Sequence, residues 1–502
     1  MKAKADNQAQ IDHMLFWPPL LAIVLICAFI VINPEAGNNA VNSLFAVVTG
    51  KLGWTYEIFV LANIGLILYF IFGKYANKRF GEEKPEFSTL TWLGMLFTAG
   101  TTGTIFFWAT IEFYYFLSGP PFGLEPFSPG AWDWSMAYSL FNWGIGGYGL
   151  YVAIGVVFGY FFFVQKKEVF RPSTACETFL GKQASGAVGK VIDIFYMIGV
   201  IAGVSTSIGL GTPIISELIT KISGIQHTLG LDAAIIIIWT IIFTVSVYSG
   251  LEKGIAFLSN VRVYLGYGLL IFVIFVGPTT FMLNNFFDAL GISLNNFMRM
   301  SLYTDAHLQT GFPQGWTIFF YAWFMSFALS TGIYLARISK GRTVREFALG
   351  ATFSGVLSAY LYFAVLGNYS IQVFNDKVID VTKIFNDYGA QRAVVEIWNT
   401  LPLSIIILPV FMILIFISTA NVINSVAYTL AMVSSKELKS GEEPGKLSRI
   451  VWAVILGCLS LTLMFLGGLK PLQTSATAGS FPTMIIMGLI FYGFLKEPKQ
   501  WD

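Results

Sequence analysis

Residues 315–346 carry Trp316, Phe319, Phe320, Tyr321, Trp323, Phe324 and Phe327, then Ser330, Thr331 and Gly332, and end in Arg337, Lys340, Arg342 and Arg345. A helix of this composition can hold an organic cation. Aromatic faces attract quaternary ammonium groups through the ring quadrupole, by roughly 0.5–2 kcal/mol per face. The other reading is an interfacial aromatic belt; belts sit at helix ends, whereas this cluster continues inward. A second ring cluster alternates with glycine: Trp143, Gly144, Gly146, Gly147, Tyr148, Gly149 and Tyr151. Positions 143, 147 and 151 are four apart and would share one helical face, and glycines between rings would leave room for a ligand. Trp323, Phe324 and Phe327 would form the facing wall. Packing is the alternative for every one of these rings.

A zwitterionic ligand also needs an anion contact. No lysine or arginine stands near the rings in sequence, so Ser330, Thr331 and the threonines of 101–104 are the candidates, together with backbone N–H groups at broken helix ends, where the helix dipole favours an anion. Arg262 is the sharpest single residue, because an arginine inside an apolar span costs about 2.5–3.5 kcal/mol unless it faces a partner or a pathway. Snorkelling to the interface is its other reading. Glu112 and Asp193 read as solvated or paired, near the ends of their spans. Ser418 and Thr419 could offer oxygens to a cation or bond their own helix. Cys27, Cys176 and Cys458 share no metal-ligand spacing with His13, His227 or His307, so neither a metal nor a cofactor is expected.

The elements that must position these residues are membrane helices. In a chain of 502 residues, 55% hydrophobic and 12% charged residues cannot describe a soluble surface. The expectation is an all-α polytopic membrane protein with twelve spans at 15–33, 54–73, 89–117, 135–164, 189–211, 233–249, 254–284, 316–339, 345–369, 402–433, 449–468 and 477–495. The segments 212–230, 285–315 and 369–402 read as outer surface helices. Lysine and arginine cluster after the second, fourth, eighth and tenth spans, at Lys74 to Lys84, Lys166 to Arg171, Lys340 to Arg345 and Lys436 to Arg449. The positive-inside rule then puts these loops and both termini in the cytoplasm. Small residues interrupt two spans, at 99–104 and at 330–332. Matching interruptions in two halves point to inverted repeats around a central site; close helix packing is the alternative.

The run Gly315, Trp316, Thr317, Ile318, Phe320 and Trp323 resembles the signature of the betaine/carnitine/choline transporter family, with Tyr321 and Phe324 in place of tryptophans. The loop 336–346 and the segments 120–126, 311–316 and 467–471 resemble that family's L-carnitine/γ-butyrobetaine antiporter branch. The likeness covers nearly the whole chain.

The resemblance implies a five-plus-five inverted-repeat core of the leucine-transporter type. Residues 1–88 would then be peripheral, with two helices outside the core, 89–315 the first repeat and 316–502 the second. It implies an aromatic box that includes Trp143 and Tyr151, with Tyr148 where the family commonly has tryptophan, and Tyr115 closing it. It implies that Arg262 takes the place of a sodium ion, and that Trp316 makes a second, regulatory substrate contact. A glutamine and a methionine are expected at 330 and 331 in a carnitine exchanger. Ser330 and Thr331 stand there instead, which points to a shorter solute. The expected activity is sodium-independent exchange of trimethylammonium or other N-methylated solutes by a homotrimer in a bacterial inner membrane. The alternative is a sodium- or proton-coupled importer of glycine betaine or choline for osmoprotection. No catalytic triad, metal-ligand set or phosphate loop speaks for an enzyme, and nothing suggests a nucleic-acid partner.

Overall fold

The structure is a computed structural model that describes residues 8–99, 103–167, 171–249, 252–436, 443–496 and 501, with backbone alone at 8–9, 246, 248–249 and 252–260. Its principal elements are α1 (His13–Ile32), α2 (Gly53–Phe72), α3 (Thr89–Ala99), α4 (Ile105–Ser118), α5 (Pro129–Asn142), α6 (Ile145–Phe163), α7 (Ala187–Ser223), α8 (Leu229–Ser249), α9 (Glu252–Val276), α10 (Thr279–Asn295), α11 (Thr317–Arg337), α12 (Val344–Tyr362), α13 (Val381–Tyr388), α14 (Ala390–Asn399), α15 (Ser404–Val433), α16 (Lys446–Leu466) and α17 (Lys470–Lys496). Among the described residues, nine helical stretches are long and apolar enough to cross a membrane, or ten if the bent pair Val261–Val276 and Thr279–Asn295 counts as one. That pair bends by 109° at Gly277 and Pro278. Backbone groups in lipid must bond within their own helix, which is why the spans are helical.

Several of the expected spans take another form. The expected span 89–117 is divided into α3 and α4; residues 100–102 of its small-residue segment lie outside the described residues. The expected span 135–164 is two helices, α5 and α6. Trp143 caps the first at φ −94°, ψ 15°, and Gly144 restarts the chain at φ −90°, ψ −157°. Trp143 and Tyr151 therefore do not share one continuous helix, contrary to the four-residue spacing argument. The segment 212–223, expected as a surface helix, continues α7, which runs unbroken through Pro213 for 37 residues.

The interruption expected at 330–332 is absent: α11 is continuous from Thr317 to Arg337. Gly332 serves close packing instead. A Cβ there would sit 2.5 Å from Ile154 Cγ2 on α6, and α6 and α11 pack along their lengths. Almost every residue of α6 is buried, whereas α1 and α2 leave Leu25, Ile32 and Phe72 exposed, as suits a peripheral pair whose surroundings are lipid.

The basic loops meet at one face. Phe80 N–H donates to the Arg342 carbonyl at 2.9 Å, Gly341 N–H to the Phe80 carbonyl at 2.8 Å and Val344 N–H to the Lys78 carbonyl at 2.8 Å, zipping the loop after α2 to the loop after α11. The chain start pairs with the loop after α15 through the parallel strands β1 (Gln8–Ala9) and β2 (Glu443–Pro444). Asp12 then pairs with Lys190 at 3.3 Å and Arg171 at 3.6 Å.

Candidate functional site

A cavity of about 1030 Å³ lies between α6, α11 and α15 and is also lined from α3 and α9. It brings together Trp143, Tyr148, Tyr151, Trp323, Phe324, Phe327, Ser330, Thr331 and Arg262. Nine of the eleven residues singled out in the sequence thus share one space. Tyr115 and Trp316 do not line it. They belong to a ring cluster beyond its closed end, where Trp316 packs at 5.1 Å from Tyr115, 4.9 Å from Phe116 and 6.1 Å from Trp108, with Phe385 of α13 at 5.1 Å from Tyr115. Tyr115 therefore closes the way to the box and does not form its wall.

At the closed end the box rings interlock. Trp143 stands perpendicular to Trp323, at 89° and 5.9 Å between centroids, and lies 5.7 Å from Phe324. Phe324 lies 5.1 Å from Tyr148 and 5.5 Å from Tyr151. Both indole N–H groups have partners: Trp143 Nε1 donates to Glu112 Oε2 at 2.9 Å, and Trp323 Nε1 to the Gly203 carbonyl at 3.3 Å. What the two tryptophans can offer a ligand is therefore their rings. The glycines of α6 do not make room for a ligand, contrary to expectation. A Cβ at Gly147 would lie 2.7 Å from the Phe324 ring, and one at Gly146 would lie 2.8 Å from Tyr321. They let the rings of α11 approach the α6 backbone, which pins Phe324 where it faces Tyr148 and Tyr151.

Toward the basic face the lining turns polar: Thr91, Thr98, Ser330, Thr331, Tyr334, Ser425 and Thr429. Thr91 and Gly94 are exposed, and Tyr334 is 42% exposed, at the end of α11 nearest Arg337. The cavity is thus reached from the face that carries the basic loops and sealed by rings toward the other. Ser330 Oγ donates to the Phe327 carbonyl at 3.0 Å, Thr429 Oγ1 to Ser425 O at 2.9 Å and Thr98 Oγ1 to Gly94 O at 3.1 Å. These protons are directed into the helices' own backbones, so the expected hydroxyl anchor at Ser330 has no free donor in this conformation. Of the 101–104 threonines, 101 and 102 lie outside the described residues, and Thr104 is buried.

Sequence adjacency placed no cation near the rings, but the fold does: Arg262 of α9 lines the same cavity, and no ion pair involves it among the described residues. Ser418 also lines it, fully buried and with its Oγ unpartnered, while Thr419 turns toward Gly211 of α7. Asn421 of the same helix, which the sequence reading did not single out, lines the cavity too. The signal was available: Ser418, Asn421, Ser425 and Thr429 recur at three- and four-residue steps, a polar stripe on an otherwise apolar helix. Glu112 was expected near the outward end of its span, solvated or paired. It is fully buried in mid-α4, and accepts bonds from Trp143 and Asn142. Asp193 is buried as well, and accepts from Ser173 N at 2.9 Å and Ser173 Oγ at 2.8 Å.

A cavity reached from one membrane face, ringed by aromatics at its sealed end and buried among long apolar helices, can hold a small organic cation and release it to one side. Among the described residues no group of three or more His, Cys, Asp or Glu could hold a metal ion. Comparison with known families identifies the chain: the family described as BCCT, betaine/carnitine/choline family transporter, matches residues 14–501. The protein belongs to that family and is a multi-pass membrane transporter.

Proposed function

We propose that this betaine/carnitine/choline family transporter exchanges betaine-type solutes across the membrane by alternating access, without sodium, in the manner of the L-carnitine/γ-butyrobetaine antiporter branch. The observation that carries the reading is the presence of an arginine and an aromatic box in one cavity. The rings hold the methylated ammonium. Arg262 supplies a permanent positive charge in the cavity that Ser418 also lines, where a coupled transporter would bind and release a cation. A sodium ion and a guanidinium each carry one positive charge, but only the ion can leave, so the driving force must come from the solutes themselves. The described conformation is the inward-facing state of the cycle, with the Tyr115, Trp316 and Phe385 rings as the outer seal. The reading includes cytoplasmic termini in a bacterial inner membrane, a homotrimer, and five-helix repeats beginning at α3 and α11. Trp316, in the seal, is the residue an outer regulatory substrate would touch. Phe324 and the short Ser330 and Thr331 side chains favour a solute no longer than carnitine.

The test is counterflow in liposomes. Uptake of labelled γ-butyrobetaine should require carnitine or γ-butyrobetaine loaded inside, proceed equally in potassium and sodium buffers, and ignore an imposed proton gradient. Strong stimulation by sodium would overturn exchange in favour of the alternative, a sodium-coupled betaine or choline importer.

A further inference from the structure

Among the described residues Glu112 is the one carboxylate bonded to the cation box, and transport as proposed above gives it no task. It lies on α4 with no exposed surface, and no ion pair involves it among the described residues. Burying a carboxyl group without a cationic partner is costly and is tolerated where hydrogen bonds compensate. Here they converge on one place. Oε2 accepts the Trp143 indole N–H at 2.9 Å and Oε1 accepts the Asn142 amide at 3.2 Å. Residues 142 and 143 are the joint where α5 ends and the chain breaks before α6. No helix continues through Trp143 to hold it. Its ring is surrounded by Phe320, Trp323, Phe324 and Phe363, all at 5.7–5.9 Å between centroids. Those neighbours offer shape, and none offers an acceptor; the indole N–H finds its direction only in Glu112.

We infer that Glu112 is the positioning residue of the cation box: by gripping Trp143 and Asn142 together it fixes the orientation of the indole against which the substrate ammonium rests. The grip also has a mechanical reach. Tyr115 and Phe116 follow Glu112 on α4 by three and four residues and pack on Trp316 in the seal, so one helix turn connects the wall of the box to the closed outer path. A donor–acceptor pair between two charged or polar partners can be replaced in part by a neutral acceptor of the same shape, whereas deleting the acceptor leaves a buried N–H without a partner.

The inference rests on the proposed transport of a methylated ammonium, and its test separates the two. Binding of carnitine, γ-butyrobetaine and glycine betaine to the purified full-length protein is measured by calorimetry, and the tightest is carried forward. Glu112→Ala and Trp143→Phe should each weaken it by about tenfold or more, and the double variant should lose clearly less than the product of the two single losses, because the Trp143–Glu112 bond is common to both. Glu112→Gln, whose amide oxygen still accepts the indole N–H, should bind within about threefold of the unmodified protein. Should Glu112→Ala not fold, Glu112→Leu, of similar volume, takes its place in the cycle. A double variant whose loss equals the product of the single losses overturns the inference, as does a Gln variant as weak as the Ala one; the transport proposal survives either result. If none of the three solutes binds the unmodified protein, the transport proposal itself fails and the inference with it.

Discussion

The two ends of the central cavity are built from opposite materials. At the sealed end five rings stand 5.1–5.9 Å apart, held by glycine contacts and by two indole hydrogen bonds. At the open end hydroxyls line the wall, but Ser330, Thr98 and Thr429 direct their protons into their own helices. On the reading proposed above, the ring end is a fixed surface that would recognise charge through a quadrupole, which needs no rotor to be reset. The hydroxyl end is a polar passage in which those three donors are already engaged. Recognition would then belong to the first and release to the second.

That contrast can be broken by mutation. The largest effect is expected at Trp323. Replacement by Leu keeps apolar area and removes the quadrupole, so affinity for γ-butyrobetaine should fall by at least about tenfold, or roughly 1.4 kcal/mol. An unchanged apparent affinity in a transport assay would show that the rings only pack. Next is Gly147→Ala, whose methyl would meet the Phe324 ring at 2.7 Å. Overpacking of this kind costs about 1–3 kcal/mol, so the melting midpoint should drop and binding should weaken because Phe324 is displaced; a midpoint equal to the unmodified protein would mean the ring end is softer than its contacts indicate. At the other end Ser330→Ala should change affinity by no more than about twofold, since its hydroxyl is engaged by the Phe327 carbonyl and by Tyr196 of α7. A loss comparable with that of Trp323→Leu would restore Ser330 as a substrate anchor and erase the distinction between the two ends.

The smallest expected effect lies outside both ends and serves as their control. In the loop between α7 and α8, His227 lies 3.0 Å from Asp232 and 2.7 Å from Glu217, and Glu217 is itself paired with Arg392 at 3.2 Å. The hydrogen bond to Asp232 and then that to Glu217 raise the imidazole pKa to about 9. A raised pKa means stability that is fully present below the unfolded value near 6.5 and lost as pH climbs through about 9. The melting midpoint should decline modestly across that window, and His227→Gln should flatten the decline while leaving substrate affinity untouched. A midpoint that rises with pH across the window would contradict the assignment.

How much of this was legible in the sequence depended on whether the signal was local. Periodicity and composition revealed the apolar helices, and the aromatic runs pointed to most of the cavity wall, because side chains three and four apart on one helix stay together whatever the tertiary arrangement. Small residues were ambiguous. The segments 99–104 and 330–332 look alike, yet residues 103 and 104 lie in a turn ahead of α4, whereas α11 runs straight through Gly332. Glycine permits a break and permits close approach, and only the neighbour, here Ile154, decides between them. The same held for Gly147, whose space is taken by Phe324. Long-range pairings were out of reach: nothing in the sequence joins Arg262 to rings some sixty residues later, and a glutamate read as solvated or paired near a helix end, with no partner named, is bonded to Trp143, 31 positions away.

The longest of these pairings has a consequence for how the molecule is assembled. Trp501 is buried against Tyr75, Phe80 and Tyr160 at 5.7, 6.2 and 4.9 Å, its Nε1 donates to the Arg79 carbonyl at 3.2 Å, and Lys78 reaches its carbonyl oxygen. The contact closes a loop of more than four hundred residues. During synthesis the ends of α2 and α6 at this face emerge long before their partner exists, and for most of translation their aromatic surface must stand open. The contact is therefore among the last to form, and the Tyr75, Phe80 and Tyr160 faces it covers stay without it until residue 501 has been made.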